Sequence, residues 1–145
     1  MHPLPHRYHV ALTYRGDKTG ALTTDGQPTI GFSAPKEFDG PGSGWSPETL
    51  LLNAVAACVT LTFGAIAAMM QVEYRDLTIE ATGTVDKIEG GKQMHFSEIT
   101  LRPTLRLANP ADESKLPKMW ESTEKHCLVS NSLKTPVHIA APTLR

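Results

Sequence analysis

Residues 46–71 read SPETLLLNAVAACVTLTFGAIAAMMQ, and how they fold decides the architecture. Ser46 offers a hydroxyl that can accept from the free N–H groups of a helix start, Pro47 presets the first helical φ, and Glu48 lies beside the positive end of the helix dipole. A helix is predicted to begin here. The apolar residues that follow run nearly all the way round it, which predicts burial on several sides at the centre of the fold. Asn53, several threonines and Gly64 interrupt the stretch, so a membrane span is not expected.

Before this helix, residues 6–14 alternate in part, with Tyr8, Val10, Leu12 and Tyr14 on one face. The segment Arg15-Gly16-Asp17-Lys18-Thr19-Gly20 then reads as a turn, residues 21–24 and 28–33 as further strands, and Asp25-Gly26 as the hairpin between them. Residues 38–45 are glycine-rich and read as a loop. After the helix, residues 77–87 and 96–107 alternate with period two and are joined through Glu89-Gly90-Gly91, with Glu80, Asp86, Arg102 and Arg106 on a wet face. Residues 111–125 form a shorter helix weakened or started late by Pro117. Residues 128–133 add a helical turn or two, and residues 137–141 a closing strand. Strands, a buried helix, more strands and a terminal helix and strand define an α+β protein.

The 145 residues suit one domain, 1–145, with a core large enough to need no disulfide or metal staple. A charged fraction of 20% and a net charge of -1 give no bias towards nucleic acid or anionic membrane. The N-terminal MHPLPHRYHV lacks the apolar run of a signal peptide, so a cytoplasmic location is expected. His6 and His9 share an i, i+3 spacing without a third ligand, and no metal site is expected.

The two cysteines, Cys58 and Cys127, show no CxxC or zinc-finger spacing. In a reducing compartment they are two buried residues or one redox couple. Cys58 stands in Ala56-Ala57-Cys58-Val59, where packing alone accounts for a free thiol. Burial there raises its pKa, and the start of its own helix is too far away to help. A reactive Cys58 would therefore need a cation from elsewhere. Arg15 is the candidate, its other reading being a solvated turn residue. Glu48 lies ten residues before Cys58, roughly 15 Å along a helix axis, so both serve one site only if Glu48 comes from another copy of the helix. Its other reading is a simple charge on the helix dipole. Cys127 sits at a helix boundary, accessible or half-buried, with His126 beside it.

Taken together, Ser46-Pro47-Glu48 followed by Ala56-Ala57-Cys58, the later Cys127 with Ser130-Asn131 and Leu133, and the Asp25-Gly26 and Ser33-Ala34-Pro35-Lys36-Glu37 segments resemble the OsmC/Ohr family of osmotically induced and organic-hydroperoxide-resistance proteins. The resemblance covers most of the chain, and departs where Leu128 stands in place of the proline that usually follows the second cysteine. It implies an intertwined homodimer of α+β subunits, with antiparallel sheets packed on a long buried central helix and active sites at the subunit interface. It also implies a thiol-dependent peroxidase that reduces alkyl or lipid hydroperoxides. Cys58 then matches the peroxidatic cysteine and Cys127 its resolving partner through an intramolecular disulfide. Arg15 matches the arginine beside the thiolate, and Glu48 the carboxylate that orients it. The partners implied are an organic hydroperoxide and a dithiol reductant such as a lipoylated protein, with no metal or other cofactor. The alternative is an OsmC-like dimer that binds a small apolar ligand or senses redox state without turnover.

Overall fold

The computed structural model describes residues 3–145; Met1 and His2, which open the N-terminal stretch, lie outside the described residues. The chain divides into two compact units, Met1–Leu51 and Leu52–Arg145.

The first unit is a three-stranded antiparallel meander of β1 (Ala11–Gly16), β2 (Thr19–Thr23) and β3 (Ile30–Ser33). Gly16 pairs with Thr19, and Asp17 and Lys18 between them both have positive φ, 48° and 60°. Such a pair matches the right-handed twist of the flanking strands. Arg15 falls where the register slips between Tyr14 and Gly16, so it is the residue left over in a bulge. The alternating apolar face of β1 is bare: Leu12 and Tyr14 are 57% and 62% exposed. After β3, a 3-10 turn at Lys36–Phe38 leads into a loop that returns to the sheet, Ser33 N–H donating to the Trp45 carbonyl at 3.0 Å.

Helix α1 (Pro47–Met69) starts where the sequence places it. Thr49 N–H donates to Ser46 Oγ at 3.2 Å and Ser46 N–H to Thr49 Oγ1 at 3.0 Å, a reciprocal cap in which threonine replaces the usual glutamate. In the second unit α1 buries Val55, Val59, Phe63, Ile66 and Ala67. Its other side does not follow the expectation of burial all round. Ala54, Ala57, Leu61, Ala65 and Ala68 recur at helical spacing and are all exposed, Leu61 by 75%. By length and composition alone α1 could cross a bilayer, with a mean hydropathy of 2.1 over its most apolar segment.

The buried stripe packs on the long hairpin of β4 (Tyr74–Lys87) and β5 (Met94–Leu107). These strands pair antiparallel along most of their length, and Arg106 bridges to Asp76 opposite it at 2.6 Å. Helices α2 (Leu116–His126) and α3 (Leu128–Asn131) follow a 3-10 segment, Pro110–Lys115. Pro117 sits in the first turn of α2, where no intrahelical N–H is needed. Leu116, Met119, Trp120 and Thr123 bury one face of α2. Trp120 stacks on Phe63 with ring centroids 4.2 Å apart, and Tyr74 meets Phe63 edge-on at 5.7 Å.

The second sheet is mixed rather than purely antiparallel. β6 (Val137–Ile139) and β7 (Thr143–Leu144) both lie parallel to β5 on its free edge. The chain reaches that edge from α3, and running alongside β5 lets Ile99 N–H reach the Pro136 carbonyl and Ala140 N–H the Leu101 carbonyl.

Candidate functional site

Cys58 lies midway along α1 at the border between its buried and exposed sides and is itself half-buried. Cys127 is the residue between α2 and α3. It closes one helix and caps the other with φ -68° and ψ 110°, and it is fully buried. The accessibility expected of the two is thus reversed. The reason is local: Cys127 N–H completes the last helical bond of α2 to the Thr123 carbonyl at 2.9 Å, and its extended backbone then turns the chain into α3.

The structure leaves both cysteines as free thiols, and the Cys127 side chain is near enough to Cys58 to help hold its thiol pKa down. Val129 N–H, at the first turn of α3, donates to Cys58 Sγ at 3.5 Å, and the neighbouring Leu128 N–H adds a smaller lowering of the thiol pKa. Thr62, one turn on, donates to the Cys58 carbonyl at 2.8 Å and favours the thiolate as well. Burial pushes the Cys58 thiol up, but the Val129 N–H, the Cys127 thiol, the Thr62 hydroxyl and the Leu128 N–H together hold it below its ordinary value. The requirement for a cation read from the sequence is met in part by peptide dipoles. The start of α1 is too distant to act on Cys58, but the start of another helix is not.

Arg15 and Glu48 belong to the first unit and the two cysteines to the second. Arg15 is exposed in its bulge, and among the described residues neither it nor Glu48 forms an ion pair. Glu48 keeps one carboxylate oxygen, Oε2, buried with no hydrogen-bond partner, an acceptor left without a donor. His126 is exposed, with Nδ1 2.8 Å from the Ser122 carbonyl. No group of three or more His, Cys, Asp or Glu among the described residues is placed to hold a metal ion.

Sequence reasoning missed Leu128, Val129 and Thr62. The first two act through peptide N–H groups and carry no side-chain signal. Thr62 carried one, a hydroxyl one turn after Cys58.

The site thus sets a half-buried cysteine on a long helix and a fully buried one at a helix junction within an α+β fold. The family model described as OsmC-like protein matches residues 40–141, and the chain belongs to that family. It is 28% identical over 138 residues to the uncharacterised protein YmaD of Bacillus subtilis, a match covering 92% of this chain and 91% of YmaD. An OsmC-like protein of unknown function from Vibrio cholerae superposes with a TM-score of 0.86 at 20% identity, over 97% of this chain and 100% of that one. An organic hydroperoxide resistance protein, OsmC, from Legionella pneumophila gives 0.72 at 16% identity over 98% of each chain. Likenesses at these identities establish a shared fold.

The lowered thiol pKa has a definite sign. The folded state favours the thiolate more than the unfolded chain does, so this contribution to stability is complete above the unfolded-state value and fades as pH falls through the folded-state value. The rate of Cys58 alkylation by iodoacetamide against pH, read on the Cys58 peptide of the wild-type protein by mass spectrometry, should give a midpoint below that of the same cysteine in the unfolded chain. Leu128→Pro should raise it. The substitution removes one N–H at a position where proline suits a helix start, and the extended backbone of Cys127 already suits a residue before proline. A wild-type midpoint no lower than that of the unfolded chain would contradict the lowered thiol pKa.

Proposed function

We propose that this protein is a thiol peroxidase that reduces organic hydroperoxides to alcohols. The observation that carries the reading is the Cys58 sulfur receiving a peptide N–H from Val129 at 3.5 Å, with the Cys127 side chain near enough to lower its pKa. The first group favours the nucleophilic thiolate, and the second puts a resolving thiol within reach. Membership of the OsmC-like family supports it, as does the shared fold with a protein named for organic hydroperoxide resistance.

In the proposed reaction the Cys58 thiolate attacks the distal oxygen of the hydroperoxide. The O–O bond breaks, the alkoxide leaves and takes a proton to become the alcohol, and Cys58 becomes a sulfenic acid. The Cys127 sulfur then attacks the Cys58 sulfur, forming a disulfide and releasing water. Two thiols of an external dithiol return the pair to the reduced state by exchange, and a lipoylated protein has the required chemistry. The cycle suits the cytoplasm, where thiols are kept reduced. The apolar residues on both sides of Cys58 favour an alkyl or lipid hydroperoxide over hydrogen peroxide.

The same reading includes a homodimer. The exposed stripe Ala54, Ala57, Leu61, Ala65 and Ala68 is a mostly small-residue surface on which a second helix can pack closely, and Cys58 borders it. The bare apolar face of β1 also calls for cover. In such a dimer Arg15 neutralises the Cys58 thiolate and Glu48 orients its guanidinium, which would supply the buried Oε2 with the donor that its own chain does not provide.

Stopped-flow consumption of cumene hydroperoxide with a dithiol should be abolished by Cys58→Ser. Cys127→Ser should keep a single turnover and accumulate sulfenic acid. Consumption unchanged in Cys58→Ser rules the peroxidase out. Sedimentation should give a dimer for the wild type and a monomer for Leu61→Arg; a wild-type monomer would remove the shared site.

A further inference from the structure

Asn131 ends α3, four residues after Cys127, and its side-chain amide is unusually occupied. Nδ2 donates to the carbonyls of Cys127 at 2.7 Å, Glu124 at 2.9 Å and Lys125 at 3.3 Å. One amide nitrogen has two protons, so three acceptors share them. All three partners are carbonyl oxygens, which fixes the nitrogen end of the amide on that side. Glu124 and Lys125 belong to the last turn of α2, where carbonyls lack an intrahelical donor. The Cys127 carbonyl also takes the Asn131 backbone N–H at 3.2 Å and the Ser130 hydroxyl at 3.3 Å. With Cys127 N–H held by Thr123, the peptide units on both sides of this cysteine are fixed.

We propose that Asn131 is a positioning residue for the thiol couple: its amide ties the end of α2 to the start of α3, keeping the Cys127 thiol and the Leu128 and Val129 N–H groups aimed at the Cys58 sulfur. Asn131 is not itself a hydrogen-bond partner of that sulfur and acts through the junction. The groups that act on Cys58 are those two N–H groups, the Thr62 hydroxyl and the Cys127 thiol, of which Cys127 alone titrates. Without the amide, α2 and α3 are tied only through Cys127 and its bonds to the Thr123 carbonyl, the Ser130 hydroxyl and the Asn131 backbone N–H. The consequence for turnover rests on the peroxidase reading; the consequence for the thiol does not.

The test is the pH profile of Cys58 alkylation by iodoacetamide in the reduced full-length protein, read on the Cys58 peptide by mass spectrometry, alongside thermal melts. Asn131→Ala should shift the midpoint upward and slow alkylation at neutral pH by about 2- to 10-fold, the equivalent of one ordinary hydrogen bond. Asn131→Gln, which keeps the amide, should recover part of the shift. Asn131→Ser, too short to reach the α2 carbonyls, should shift in the same direction as alanine and serves if the alanine variant does not fold. Asn109→Ala is the control. It removes a side-chain cap elsewhere in the same unit, where Asn109 Oδ1 accepts from Ala111 N–H at 3.1 Å, and should lower the melting temperature with an unshifted profile. An unshifted profile in folded Asn131→Ala or Asn131→Ser overturns the proposal. Alkylation needs no peroxide, so failure of the peroxidase reading would show separately, as absent turnover in the wild type.

Discussion

A thiol in the middle of an apolar helix is held below its ordinary pKa only if donors reach it from another element, and here the junction between α2 and α3 supplies them. The Val129 and Leu128 N–H groups converge on Cys58 because Cys127 turns the chain between the two helices. Much of the second unit serves to hold that junction against α1. The Phe63–Trp120 stack fixes α2 on α1, Met119 and Thr123 bury its inner face, and the β4–β5 hairpin closes the core behind the buried stripe of α1. The site is therefore a product of core packing. A cavity beneath α2 would be felt at the sulfur.

Much of this fold was legible in the sequence because it is written in local rules. Ser46, Pro47 and Glu48 announced the start of α1, period-two patterning announced β4 and β5, and Pro117 announced the late start of α2. The parallel attachment of β6 and β7 was not legible. Strands of three and two residues carry too little pattern, and their pairing with β5 joins positions distant in sequence. The nearness of the two cysteines was legible only through the family resemblance. Their burial was not, since it depends on which way one peptide turns. The N–H donors were invisible, because a backbone group has no letter of its own.

The all-round apolarity of α1 carried a meaning that the sequence left open. Apolar composition reports that a surface avoids water, without saying what covers it. Val55, Val59 and Phe63 are covered by this chain's own core, whereas Ala54, Ala57, Leu61, Ala65 and Ala68 are not. The alternation of alanine with one leucine is a surface that admits close approach of another helix, and the proposed homodimer gives it that neighbour. Glu48 fits the same picture. A buried carboxylate oxygen without a donor is costly in an isolated chain, and the cost disappears if an arginine arrives across an interface.

The claim at the centre of this account is that Cys58 and Cys127 act as one redox couple within a single chain. Peptide mapping by mass spectrometry, after one equivalent of cumene hydroperoxide is added to the reduced protein, tests it most directly. The account predicts one product, a disulfide joining the Cys58 and Cys127 peptides of the same chain. Cys58 left unmodified, or driven to sulfinic acid while Cys127 stays reduced, would contradict it.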